Sequence, residues 1–146
     1  MTPQQFNSAV EQAKATKKIV GLSLAERRER PATKEELAAW ERHHGVVLPP
    51  SYHFFATTYG CGGFVFTTVL SVLADSNYPI ALCLDDVGDS LVPVIDNGCG
   101  DYYCLPVVNG RCEDRIVFAD HEVGYEVTEE DDRDFLQFVA EDGLES

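Results

Sequence analysis

The sequence predicts an α+β fold, and three observations carry that prediction. Helical periodicity with capping signals fills the first third, a block rich in β-branched and aromatic residues follows, and a helical stretch closes the chain. Helices that stand before and after a block of strands, rather than alternating with them, gather into their own layer. A length of 146 residues fits one domain, 1–146, and a chain of that size buries about 68–70% of its unfolded surface without staples.

Each element has a local reason. Phe6, Ala9, Val10 and Ala13 recur at helical spacing, predicting a helix over 3–18 that leads through Ile19-Val20-Gly21-Leu22 into a connector, Glu26-Arg27-Arg28-Glu29-Arg30, expected as a solvated face. Thr33-Lys34-Glu35-Glu36 is a capping box, and Leu37, Trp40 and His44 then mark one helical face up to Gly45. Proline suits the first turn of the next helix, where its missing N–H is not needed; Pro49-Pro50 opens it, and Tyr52, Phe55, Ala56 and Tyr59 form its stripe. Past the break Gly60-Cys61-Gly62-Gly63, strands are expected at 64–70, 79–84, 91–95, 102–108, 115–119 and 124–127, about six in all. Asn109-Gly110 reads as a hairpin turn and Asp120-His121-Glu122 as another connection. Thr128 followed by Asp131 reads as the cap of a last helix over 129–141, with Phe135, Leu136, Phe138 and Val139 inward and Glu129-Glu130-Asp131-Asp132 at the positive end of its dipole.

Composition narrows the function. No apolar run approaches the roughly 18 residues of a membrane span, and the N-terminus lacks a basic region followed by an apolar core, so a cytoplasmic protein is expected. Five cysteines, at 61, 83, 99, 104 and 112, form no C-x-x-C pair, which argues for reduced thiols and against a disulfide framework or a zinc ribbon. Cys83 and Cys104 lie in apolar runs and read as buried; Cys99, between two glycines, is the candidate reactive thiol. Net charge is −14 and unevenly placed. Residues 1–74 hold six acidic and eight basic side chains, whereas residues 75–146 hold nineteen and three. Such a field repels nucleic acid and membrane surfaces and steers basic proteins onto the acidic face, unless it serves solubility alone.

The stretch Asp96-Asn97-Gly98-Cys99-Gly100-Asp101 reads as an architectural corner. Its two aspartates either fold back onto loop N–H groups or project outward as a pair. In an extended segment His121 points away from Asp120 and Glu122, so that trio converges only at a sharp turn and reads as structural. His43-His44 reads as placed to interact with the negative end of a helix dipole, and His53 lacks partners at metal-binding spacing. No nucleophile elbow, phosphate loop, zinc motif or dinucleotide fingerprint occurs, so no catalytic set, cofactor or metal is expected. A thiol or metal-dependent hydrolase around Cys99, Asp101 and His121 is the minor alternative. Binding residues are expected where loops present charge: Asp85, Asp86 and Asp89 before the corner, and Glu113 and Asp114 after the hairpin. Tyr102 and Tyr103 read as core or as interface.

Together, Thr33-x-x-Glu36-Leu37, Trp40-Glu41, Leu48-Pro49-x-x-Tyr52-x-x-Phe55, Tyr59-Gly60-x-Gly62-Gly63, the Val92 to Tyr103 corner and Asp120-His121-Glu122 resemble the SUKH superfamily, the Smi1/Knr4-like proteins, over about residues 30 to 140. The resemblance implies a curved, mostly antiparallel sheet with the N-terminal helices and a C-terminal helix packed against it, and no catalysis. Bacterial members are similar to immunity proteins, which bind and neutralise a cognate toxin, frequently a nuclease. Fungal relatives are regulators of cell-wall synthesis with long flanking segments, so the short sequence favours the immunity role. The runner-up is a non-enzymatic adaptor of the same fold. The resemblance transfers no contact residues, and the expected partner is a basic toxin domain.

Overall fold

The computed structural model describes residues 1–16 and 28–144, and its architecture is α+β. Helix α1 (Pro3–Ala15) starts on a capping box in which Thr2 accepts from the Gln5 N–H. Helix α2 (Lys34–His44) has the expected Thr33–Glu36 box and ends on Gly45 in the left-handed conformation, and α3 (Pro50–Thr58) follows at once. Seven strands then form one open, curved antiparallel sheet: β1 (Gly62–Phe64), β2 (Thr67–Val69), β3 (Leu91–Asp96), β4 (Tyr102–Val108), β5 (Arg111–Cys112), β6 (Val117–Asp120) and β7 (Glu126–Glu130). Their order is β1-β2-β3-β4-β6-β7, with β5 pairing β4. Register shifts at Pro93/Ile95 and Phe118/Ala119 mark bulges, which bend a strand and increase its twist.

One face of the sheet carries α1, α2, α3 and the closing helix α5 (Phe135–Phe138) over the main core. Phe6, Phe55 and Phe64 pack ring against ring, and Phe135 reaches Tyr52 and Phe55 with centroids 5.5 and 5.7 Å apart. Each fully buried ring contributes about 1.5–3 kcal/mol over its exposed state. The only polar end in this group, the Tyr52 hydroxyl, donates to the Leu70 carbonyl at 2.7 Å. A smaller cluster, Leu91, Cys104, Val117 and Ala119, lies on the other face and is covered by Val87, Tyr102 and Tyr125.

Several expectations are corrected. The first helix stops at Ala15, and Ile19–Leu22 and residues 26–27 lie outside the described residues. Residues 28–29 are half-buried rather than a solvated face: the Glu29 N–H donates to the Cys61 carbonyl at 2.8 Å beside β1. That approach requires Gly60, since a Cβ there would stand 2.2 Å from the Glu29 oxygen. Residues 64–70 form a hairpin instead of one strand; β1 and β2 pair through Phe64 and Thr67, leaving Val65-Phe66 as a two-residue turn. Val65 sits at φ 55, a conformation that costs a β-branched residue about 1–2 kcal/mol.

The stretch 79–84 is a 3-10 turn (Ile80–Leu82) leading into a short helix, α4 (Leu84–Val87). Its apolar run could be read with either period, and its Ala and Leu content favours the helical one. The strand expected at 124–127 is β7, running on to Glu130, so the closing helix begins only at Phe135 with Asp134 as its cap; Thr128 and Asp131 cap nothing. After Phe138 the chain widens into a π turn (Val139–Gly143). No helix among the described residues is long and apolar enough to cross a membrane.

Candidate functional site

The corner between β3 and β4 folds back on itself. Asp96 Oδ1 accepts the Gly98 N–H at 2.7 Å, and Asn97 Oδ1 accepts those of Cys99 at 2.9 Å and Asp101 at 3.1 Å. Asn97 Nδ2 in turn donates to Asp101 Oδ2 at 3.0 Å. Asp101, only 9% exposed, reaches across to the β6 end, where its Oδ1 accepts the His121 N–H at 2.9 Å and pairs with His121 Nδ1. The His121 N–H, the His121 ring and Asn97 hold the Asp101 carboxyl down at about 2, and the same carboxylate raises the His121 imidazole above its ordinary 6.5. The aspartates therefore act as short-range ties, the first of the two roles open to them.

The turn that His121 needed is present. His121–Val123 is a 3-10 turn capped by Asp120, whose Oδ1 accepts the Glu122 N–H at 2.9 Å. It corrects the expectation that His121 stands apart: ligand-type atoms of Asp101, Asp120 and His121 lie within 4.8 Å of one another. The hydrogen bonds above engage all three side chains, so the grouping works as a clasp between corner and turn. The other histidines are also absorbed locally. His44 packs at a tilt on Trp40, ring centroids 4.4 Å apart, and burial followed by the His43 charge lowers its pKa. His53 bonds Glu41 at 3.1 Å.

All five thiols are free. Burial pushes the Cys61, Cys104 and Cys112 thiols up to about 12, away from the reactive thiolate form; Cys83 is half-buried, and Cys99 is exposed.

The acidic residues expected to bind a partner separate into two kinds. Asp85, Asp86 and Asp89 are exposed on and just after α4. Asp85 and Asp89 border a groove of about 520 Å³ whose walls include Trp40, Leu84, Val92 and Val107. Leu82, on the turn before α4, is 78% exposed. Asp86 is held by the Tyr102 hydroxyl, which donates to its Oδ2 at 3.2 Å. Glu113 pairs with Arg115 at 2.8 Å. Asp114 accepts the Phe135 N–H at 2.9 Å, which gives it a place in the fold as well.

Tyr102 and Tyr103 do not form one patch, because neighbours on a strand point to opposite faces. Tyr102 stacks on Tyr125 at 5.6 Å and serves the α4 side. Tyr103 packs on Phe118 at 5.1 Å and Phe138 at 4.6 Å, beneath the C-terminal turns. Sequence reasoning missed the Val65-Phe66 turn and the Asp101–His121 clasp. The first carries no Gly or Asn signal, and the second joins residues twenty apart through tertiary structure alone.

Residues 34–139 match the family SUKH_6, described as SMI1-KNR4 cell-wall. No curated protein matches the chain.

Proposed function

The chain belongs to the SUKH (SMI1-KNR4) family, and from that footing we propose that it is a cytoplasmic immunity protein. It binds and neutralises a cognate toxin, a basic nuclease domain, through the acidic rim formed by Asp85, Asp86 and Asp89. The observation that carries this reading is the charge asymmetry: nineteen acidic against three basic side chains in residues 75–146. A nuclease must be cationic where it grips phosphate, so an anionic protein surface is complementary to its working face. The groove beside α4 adds an apolar wall to that charge, the combination that gives an interface both steering and a desolvated centre. An adaptor of the same fold would use the same groove for another basic protein, and the product of the neighbouring gene separates the two readings.

The test is the association rate with the toxin domain encoded next to this chain, measured by stopped flow across ionic strength. The triple variant Asp85→Asn, Asp86→Asn, Asp89→Asn keeps an acceptor for the Tyr102 hydroxyl and removes three charges. Association at low salt should slow by about tenfold and its salt dependence should flatten. An unchanged rate and salt slope would overturn the assignment of this rim.

A further inference from the structure

A second concavity, of about 610 Å³, lies at the other end of the central β3–β4 hairpin, between the corner, the Val65-Phe66 turn and the C-terminal π turn. Ile95, Tyr103 and Phe138 stand at its base, with Ile95 and Phe138 almost fully buried beneath it. Its lip is Phe66, 45% exposed although it is a large aromatic side chain. The strained turn accounts for that exposure, because Val65 takes the buried place at φ 55 and the Phe66 N–H is pinned to the Gly143 carbonyl at 3.0 Å. Backbone strain that turns an apolar ring outward calls for a function.

The rim is anionic. Asp96 stands on the corner side, Glu141 and Asp142 on the other. Arg133 shows what this chemistry accepts: its guanidinium lies over Phe138, 4.7 Å from the ring centroid, with Asp131 at 2.7 Å, Glu141 at 2.9 Å and Asp142 at 2.8 Å. Asp96, Glu141 and Asp142 on the rim outnumber the one guanidinium that pairs with two of them, which leaves the mouth with an excess of negative charge. A planar guanidinium can lie on an aromatic ring while its fork meets carboxylates at the edge, which a compact ammonium cannot do as well.

We propose that this cleft receives an arginine side chain of a basic partner protein, with Phe66 as the stacking ring and Asp96, Glu141 and Asp142 as counter-charges. The proposal rests on the reading of the chain as a binder of basic proteins and names a second contact for that partner, remote from the α4 groove.

The test uses small probes, so it does not depend on the toxin. Acetyl-Gly-Arg-Gly-amide is titrated into the ¹⁵N-labelled protein, beside peptides with lysine or with uncharged citrulline in place of arginine. The arginine peptide should shift the amide signals of Phe66, Asn97, Gly98 and Tyr103 in a saturable way; lysine should bind more weakly and citrulline should leave them in place. Phe66→Ala, which removes an exposed ring and keeps the Gly143 hydrogen bond, should weaken arginine binding about two- to fivefold with an unchanged melting temperature. Equal shifts from citrulline, shifts confined to the Asp85–Asp89 region, or no shifts at all would overturn the proposal. So would movement of the cleft signals with protein concentration alone, which would assign the cleft to a second copy of this chain. Failure here with an intact salt effect in the toxin assay would leave the α4 rim standing.

Discussion

Asp114 separates a residue that builds the fold from one that meets a partner. Its carboxylate holds the N–H of Phe135 at 2.9 Å, while Asp134 Oδ1 caps the same helix through the Gln137 N–H at 2.8 Å. Helix α5 has only four residues before it widens, so its start depends on these two caps, and the residue they fix is a fully buried ring in the main core. Replacing a capping carboxylate by alanine typically costs about 1 kcal/mol. At roughly 2.1 cal/mol/K per residue, 146 residues have an unfolding entropy near 0.3 kcal/mol/K, so Asp114→Ala should lower the melting temperature by about 3 °C. Circular dichroism melts of wild type and variant read this directly. Asp114→Asn, which keeps an acceptor oxygen, should recover most of the loss. If both variants melt like the wild type and Asp114→Ala slows toxin association, Asp114 belongs to the binding surface and the capping argument fails.

Two further outcomes follow from the corner. His121 has a raised pKa, so its contribution is present in full below 6.5 and is lost as pH climbs through the raised value; Asp101, lowered to about 2, contributes above its ordinary 3.8 and loses its contribution as pH falls toward 2. The melting-temperature difference between wild type and His121→Asn should therefore be widest between about pH 4 and 6.5 and shrink on both sides; a flat difference would mean that the clasp carries no charge. Gly98→Val places a β-branched residue at φ 77, where its Cβ meets no atom within 4 Å, so the expected cost is backbone strain, about 1–2 kcal/mol. A denaturant midpoint equal to wild type would refute it.

The helical half was legible because its signals are local. Thr33 and Glu36 cap each other across three residues, and the Pro49-Pro50 start needs no distant partner. The sheet was legible where apolar, β-branched and aromatic residues run on between turn signals, as in β3 and β4, and illegible where a turn lacked turn residues. Nothing in Phe64-Val65-Phe66-Thr67 announces a reversal; the strain at Val65 is held by tertiary contacts such as the Gly143 carbonyl. Asp131 misled for a related reason. It sits where a helix cap would, but the ladder with β6 claims the backbone through Glu130, and the Asp131 carboxylate goes to Arg133. At the binding site, charge could be counted in the sequence, whereas the two concavities exist only because the fold brings distant segments to the two ends of the β3–β4 hairpin.

The separation of those concavities determines how the acidic half works. Leu91 borders the α4 groove and Asp96 the Phe66 cleft, five residues apart on one strand, or roughly 17 Å. The Debye length is about 8 Å at physiological salt and about 30 Å at 0.01 M. At low salt the two rims therefore act as one anionic field, and neutralising Asp85, Asp86 and Asp89 slows any basic partner, whichever end it docks on. At physiological salt each rim is felt locally. A triple-variant defect that persists there places one contact on the α4 groove, and a Glu141→Gln defect that persists there places the second on the Phe66 cleft. Variants more than about 10 Å apart without shared partners should add. A combined variant that falls short of additivity at physiological salt would contradict the independence of the two ends.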